Sequence, residues 1–258
     1  GERWLSNHER LDHMLEPFGI AAMDALGDLT GANVLDVGCG TGETVADLAE
    51  RVGPDGRVVG VDISGVLVER ARVRYDSPNL DFRVADAATD ELGYGYRAVL
   101  SRFGVMFFAD PVEAFGHIRG SMTNDGGLSV VVWQPPTENE WVRVPLDAAS
   151  KVIDLPDPPP ARSPGPFALA EAAYVESVLE DAGFVDVEVS EFRTEVHVGQ
   201  DPNDAARFLL GVLPTGPLLD ALDPVANAAV VDAVVREFEE RGNVDLEGAT
   251  WIVTARNN

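Results

Sequence analysis

The chain has 258 residues, 45% of them hydrophobic, and a net charge of −25 from 44 acidic and 19 basic side chains. That length suits one long domain, the apolar fraction suffices for a buried core, and no stretch is apolar for long enough to cross a bilayer. So acidic a surface repels nucleic acid and anionic membranes, and neither is expected as a partner. The single cysteine, Cys39, excludes an internal disulfide. With no signal-peptide pattern, that fits a reducing cytoplasm. The sequence does not indicate an oligomeric state.

Residues 3–16 read as an amphipathic helix with Trp4, His8, Leu11 and Leu15 on one face. Pro17 and Gly19 are expected to end or bend it, and a second short helix, Ile20–Leu26, follows. Val34-Leu35-Asp36-Val37 is a buried, β-favouring run that ends in three glycines on alternate positions, Gly38, Gly40 and Gly42. Glu43–Arg51 then reads as a helix with Val45, Leu48 and Ala49 on one face. Strand, glycine turn and helix open a doubly wound α/β domain with a nucleotide-like ligand beyond the strand's carboxyl end. Glycines let the ligand approach the backbone, and the helix N-terminus offers unpaired N–H groups. A dinucleotide turn wants G-x-G-x-x-G, yet position 43 is Glu and the third glycine comes one residue early. A nicotinamide-dependent oxidoreductase is therefore the weaker alternative.

This stretch, Leu35-Asp36-Val37-Gly38-Cys39-Gly40-Thr41-Gly42, resembles the first motif of the class I S-adenosyl-L-methionine (SAM) methyltransferases. The resemblance implies SAM as cofactor, held around Asp36, Gly38, Cys39, Gly40, Thr41 and Gly42. It also implies N-terminal helices lying over the cofactor and acceptor pocket.

Val58–Asp62 is the second strand, and Asp62 lies 20 residues after Gly42. That interval lets a carboxylate reach ribose hydroxyls at the neighbouring strand end. Asp62 is also a plausible helix N-cap, although Ser64 could serve instead. The resemblance implies that Ile63 packs on the adenine face. Gly65–Tyr75 reads as a helix with Val66, Val73 and Leu67 inward. Leu80–Val84 is the third strand, followed by Asp86 and Ala87. In the resembled family an acid here approaches the adenine amino group and the adjoining backbone holds the ring edge. Asp86 could equally cap the segment Ala87–Leu92.

Arg97–Leu100 is the fourth strand, and the loop after it sits at the sheet edge where a methyl acceptor belongs. Ser101 is expected at the cofactor, and Phe103, Met106 and Phe107 in an apolar acceptor wall, with ordinary core packing as the competing reading. Asp110-Pro111 starts a helix to about Met122, Asn124–Gly127 turns the chain, and Leu128–Trp133 is the fifth strand. Residues 97–143 resemble a bacterial group of methyltransferases akin to the ubiquinone/menaquinone-biosynthesis type. The residues that carry this are Ser101–Pro111, Trp133 and Glu138-Asn139-Glu140-Trp141. Trp4 and Trp141 join the expected acceptor wall. That group commonly has Pro where this chain has Glu140.

Six prolines fall between Pro156 and Pro166, so the stretch 134–168 cannot be sheet and reads as a lid-like crossing. A helix is expected within it over Trp141–Val152, broken or begun around Pro145. Leu169–Ala182 reads as a helix and Val185–Val198 as a strand. Asn203–Gly211 and Leu218–Arg241 read as helices. Trp251–Ala255 is expected as the last strand, inserted antiparallel beside the fifth as in the resembled family. The expected fold is a seven-stranded, mostly parallel, Rossmann-like doubly wound sheet in one methyltransferase domain. Residues 1–30 form its N-terminal helical cover, 31–133 its cofactor core, 134–168 the lid and 201–245 a helical cap.

The expected reaction is methyl transfer by in-line displacement to a small, largely apolar acceptor, a hydroxyl of quinone-like or secondary-metabolite type. A SAM-binding, non-methylating cyclase on the same fold is the alternative. No metal-ligand spacing is present. His8, on the apolar stripe of the first helix, is the candidate base for a hydroxyl proton. His117 suits surface or packing, and His197 ends a strand without an assigned role.

Overall fold

The computed structural model describes residues 7–213 and 222–258. Trp4 and the start of the Leu218–Arg241 helix lie outside the described residues. In chain order the elements are α1 (His8–Ala25), β1 (Asn33–Val37), α2 (Glu43–Val52), β2 (Arg57–Asp62), α3 (Gly65–Arg74), β3 (Leu80–Val84) and β4 (Tyr96–Arg102). Then follow α4 (Pro111–Gly120), β5 (Met122–Trp133), α5 (Glu140–Ser150), α6 (Ala172–Asp181), β6 (Val185–His197), α7 (Pro202–Val212), α8 (Pro224–Arg241) and β7 (Asp245–Arg256).

The seven strands form one sheet in the order β3-β2-β1-β4-β5-β7-β6. β1 pairs in parallel with β2 on one side and β4 on the other, and β4 with β5. β7 runs antiparallel to β5, Val130 opposite Val253, as expected from the sequence. The strand order reverses between β1 and β4. Beyond the strand ends at such a reversal is where α/β sheets bind ligands.

The chain divides into two compact units. One takes the chain up to Leu15, Pro135–Pro160 and Arg193–Ala249; the other takes Glu16–Gln134, Ala161–Phe192 and Thr250–Asn258. In the second unit Val34, Leu35, Val58, Val61, Val99, Leu100 and Val130–Val132 are buried in the sheet. Their near-continuous apolar runs are those of strands covered on both faces. Val45, Leu48 and Val52 of α2 and Ala114, Phe115 and Ile118 of α4 are buried with them. The first unit is helical at its centre: α8 packs on α7 and α5, burying Val234, Phe238, Ala205 and Leu209.

Three local expectations are corrected. α1 runs unbroken through Pro17. Proline removes one helical N–H, but Met14, Leu15, Phe18, Ala22 and Met23 bury a continuous stripe on either side of it, which holds the helix together. α3 turns Leu67, Val68 and Ala71 inward, whereas Val66 and Val73 are exposed. With the helix starting at Gly65, the pair seven residues apart falls on the outer face. Pro145 likewise lies inside α5, buried, rather than breaking it.

Candidate active site

The centre of the second unit is the turn from β1 into α2. Gly38, Gly40 and Gly42 all have positive φ, at 76°, 55° and 89°. The turn is fixed on one side by Gly38 N–H and Cys39 N–H, which both donate to Val61 O at the end of β2. The three glycines do different work. A Cβ on Gly42 would lie 2.9 Å from the Phe82 ring, and one on Gly38 would lie 2.7 Å from Gly104 Cα. A Cβ on Gly40 would meet no atom of the described residues within 4 Å. Packing therefore explains Gly38 and Gly42, whereas Gly40 opens a bare backbone towards space that a ligand can fill.

Asp62, the last residue of β2, faces this turn. One carboxylate oxygen accepts from Gly40 N–H at 2.9 Å and the other from Ser64 N–H at 2.8 Å. It thus braces the glycine turn against the segment leading into α3, without being the N-cap of that helix. Ser64 occupies the N-cap position without a side-chain hydrogen bond. Ile63 beside it is 73% exposed, an apolar side chain laid open at the strand end.

Asp36 is fully buried one strand away. One of its oxygens accepts from the Thr44 hydroxyl; the other has no partner among the described residues. Burial pushes its carboxyl up to about 6; the Thr44 hydroxyl and the Arg102 guanidinium oppose the shift, and Asp62 and Asp47 add to it. Burial, together with Asp36 and Asp62, also pushes the Cys39 thiol far up, so this cysteine is inert. Thr41, next in the turn, is buried.

These features decide little by themselves, but the likeness to known proteins does. A methyltransferase-domain family model matches residues 34–126. The trans-aconitate 2-methyltransferase of Methylobacterium radiotolerans is 31% identical over 209 residues, covering 80% of this chain and 76% of that protein. The chain belongs to the class I SAM-dependent methyltransferases. The nocamycin O-methyltransferase of Saccharothrix syringae is 30% identical over 184 residues, 66% of this chain and 65% of that protein. Among solved structures, phosphoethanolamine N-methyltransferase 2 of Haemonchus contortus in complex with SAM shares the fold. Its TM-score is 0.56 at 17% identity, over 93% of this chain and 52% of that one.

The residues fit a SAM methyltransferase. Gly40 leaves room at the turn, and the unpartnered oxygen of Asp36 is a buried anionic acceptor in want of a donor or cation. The two oxygens of Asp62 retain lone pairs beyond those given to Gly40 and Ser64. Asp86 sits after β3 and caps locally: one oxygen accepts from Ala88 N–H, and its own N–H donates to Asp90. Ala87 beside it is buried. Ser101 is fully buried and gives its hydroxyl to the protein, donating to Val37 O.

The expected acceptor wall divides. Phe103 is buried and stacks on Trp133 at 4.3 Å between ring centroids, with Phe18 edge-on to both. Met106 is buried, whereas Phe107 is 58% exposed. The end of the proline-rich stretch is tied to this loop, because Gly165 N–H donates to Met106 O at 3.0 Å.

His8 and Trp141 belong to the other unit. His8 is half-buried at the start of α1. The Trp141 indole N–H donates to Asn139 Oδ1, and Asn139 is itself fully buried and bonded to the backbone of Ala249 on both sides of its amide. Glu140 opens α5 and accepts from Arg241 and from Glu247 N–H. His117 bonds Asp90 O through Nε2, a packing role.

Two features of the first unit were not anticipated. His197 is paired through Nδ1 with Asp245 at 2.8 Å. A cavity of about 290 Å³ is lined by Arg10, His13, His197, Gln200, Asp204 and Phe208. Arg10 binds Asp204 through both terminal nitrogens and lies 4.2 Å over the Phe208 ring. Among the described residues no cluster of His, Cys, Asp and Glu is arranged to hold a metal ion, and no helix is long and apolar enough to cross a membrane.

Proposed function

We propose that this chain methylates an oxygen of a small, largely apolar organic acceptor, a hydroxyl of quinone-like or secondary-metabolite type. One observation carries the reading: the loop after β4 combines buried Phe103 and Met106 with an exposed Phe107 ring at the sheet edge beside the cofactor turn. Of the relatives' names, that of the nocamycin O-methyltransferase agrees with an oxygen acceptor; trans-aconitate is a tricarboxylate without a hydroxyl, so the other name supports a small-molecule acceptor only. Within the family, the Ser101–Pro111 loop supports a place near the ubiquinone/menaquinone type.

When bound, the cofactor supplies an electrophilic methyl group on its sulfonium. The chain's task is to orient, exclude water and handle one proton. The glycine turn and Asp62 would orient the nucleoside end, with the buried carboxylate of Asp36 supplying negative charge towards the positive end. The Phe107 side excludes water and presents the acceptor oxygen in line. For a phenol or alcohol, His8 is the residue we propose to take the hydroxyl proton.

Incubation with methyl-labelled SAM and a panel of quinols, phenols and carboxylic acids, read by mass spectrometry, tests this. Label on a hydroxyl oxygen supports it. Label only on nitrogen, or an altered product carrying no label, contradicts it. His8→Gln should then cut turnover with SAM affinity unchanged; full turnover in that variant removes His8 from the role.

A further inference from the structure

Ser101 is the second-last residue of β4 and is fully buried. Its hydroxyl nevertheless joins the two pieces of backbone that matter most for the reaction. Oγ donates to Val37 O at 2.7 Å, the carbonyl just before Gly38, and accepts from Gly104 N–H at 3.2 Å. At the same place the two backbones touch without intervening side chains. A Cβ on Gly38 would lie 2.7 Å from Gly104 Cα; one on Gly104 would lie 2.6 Å from Val37 O and 2.9 Å from Gly38 Cα.

Between the hydroxyl and Gly104 stands a strained residue. Phe103 has φ of 64°, a left-handed conformation that a bulky side chain adopts only where its surroundings enforce it. Three contacts do so: its N–H on Val131 O at 3.1 Å, its ring on Trp133, and the bond from the next N–H to Ser101. The loop continues as a single 3-10 turn, Val105–Phe107, that carries the exposed Phe107 ring.

We propose that Ser101 is a positioning residue that locks the cofactor turn to the acceptor loop, so that filling the turn orders residues 102–108. The hydroxyl acts through Val37 and Gly104, and touches neither reactant. The inference needs only the cofactor site and does not depend on which acceptor is used.

The test uses S-adenosylhomocysteine as probe, with calorimetry for affinity and hydrogen exchange for each segment. In the parent protein the probe should slow exchange over 36–42 and also over 102–108. Ser101→Ala should weaken binding about five- to tenfold, the worth of an ordinary hydrogen bond. It should lose the protection over 102–108 while keeping that over 36–42. Gly104→Ala, which forces the backbones apart with the hydroxyl in place, should uncouple the segments in the same way. A residue that merely adds stability would lower the melting temperature and leave both protections. The proposal is overturned if the probe leaves 102–108 unchanged in the parent protein, an arm that needs no variant. It is overturned equally if Ser101→Ala, or Gly104→Ala should Ser101→Ala not fold, retains both protections.

Discussion

The cofactor turn and the corner around Arg10 solve the same problem, holding charge in place, by opposite means. In the turn the work is done by backbone N–H groups, left-handed glycines and two short carboxylates, one of them fully buried. Around Arg10 it is done by long, half-exposed side chains: a guanidinium forked on Asp204, laid over Phe208, with His197 held by Asp245 nearby. A backbone-built site must be written in consecutive residues, because only the local dihedrals make it. A side-chain-built site can be assembled from anywhere; Arg10 and Asp204 are 194 positions apart. Geometry built from backbone should also be less tolerant of substitution, and the following variants rank that difference.

Gly40→Val carries the largest expected effect. The site has space for the side chain, but φ of 55° disfavours it and the methyls would occupy the ligand's place. SAM affinity should fall more than about a thousandfold, roughly 4 kcal/mol, with the circular dichroism spectrum unchanged. Retained binding would show that Gly40 does not face the ligand.

Asp36→Asn comes next and acts on stability. The native carboxyl titrates at about 6, against 3.8 for an ordinary aspartate, so the folded cofactor-free protein holds this proton more tightly than the unfolded chain does. The resulting stabilisation is complete below 3.8 and is lost as pH rises through about 6. Denaturant melts from pH 4 to 7.5 should therefore show the parent losing about 2 kcal/mol relative to Asp36→Asn. A flat difference would mean that the buried carboxylate is fully satisfied when ionised.

Asp62→Ala should weaken SAM binding by about 1–3 kcal/mol, the usual cost of losing hydrogen bonds to a charged group. Unchanged affinity would leave it as a brace for the segment leading into α3 only. Arg10→Leu should have the smallest effect, a loss of about 1 kcal/mol of stability, since the ion pair is half-exposed and the ring contact modest. A loss as large as that expected for the glycine turn would erase the contrast between the two regions.

The same contrast explains what could be read from the sequence. The strands of the sheet and the glycine turn follow from short-range periodicity and spacing, whereas the antiparallel place of β7 comes from the family resemblance. The unbroken α1 follows from neither, because the burial of Phe18, Ala22 and Met23 outweighs the missing N–H of Pro17, and burial is a tertiary property. The inward face of α3 is not legible locally, because its phase depends on where the helix begins. Ser101 looked like a cofactor contact from its place after the fourth strand. Nothing local shows that its hydroxyl is used up by Val37, 64 residues earlier. The pairing of His197 with Asp245 across 48 residues is equally silent in the sequence.

The central claim is that the turn Gly38–Gly42 with Asp62 is a SAM cradle and not a dinucleotide cradle. Titration calorimetry of the purified chain against SAM, S-adenosylhomocysteine and NAD tests it most directly. The account predicts one-to-one binding of SAM and S-adenosylhomocysteine, and no heat with NAD. Saturable binding of NAD without binding of SAM would contradict it.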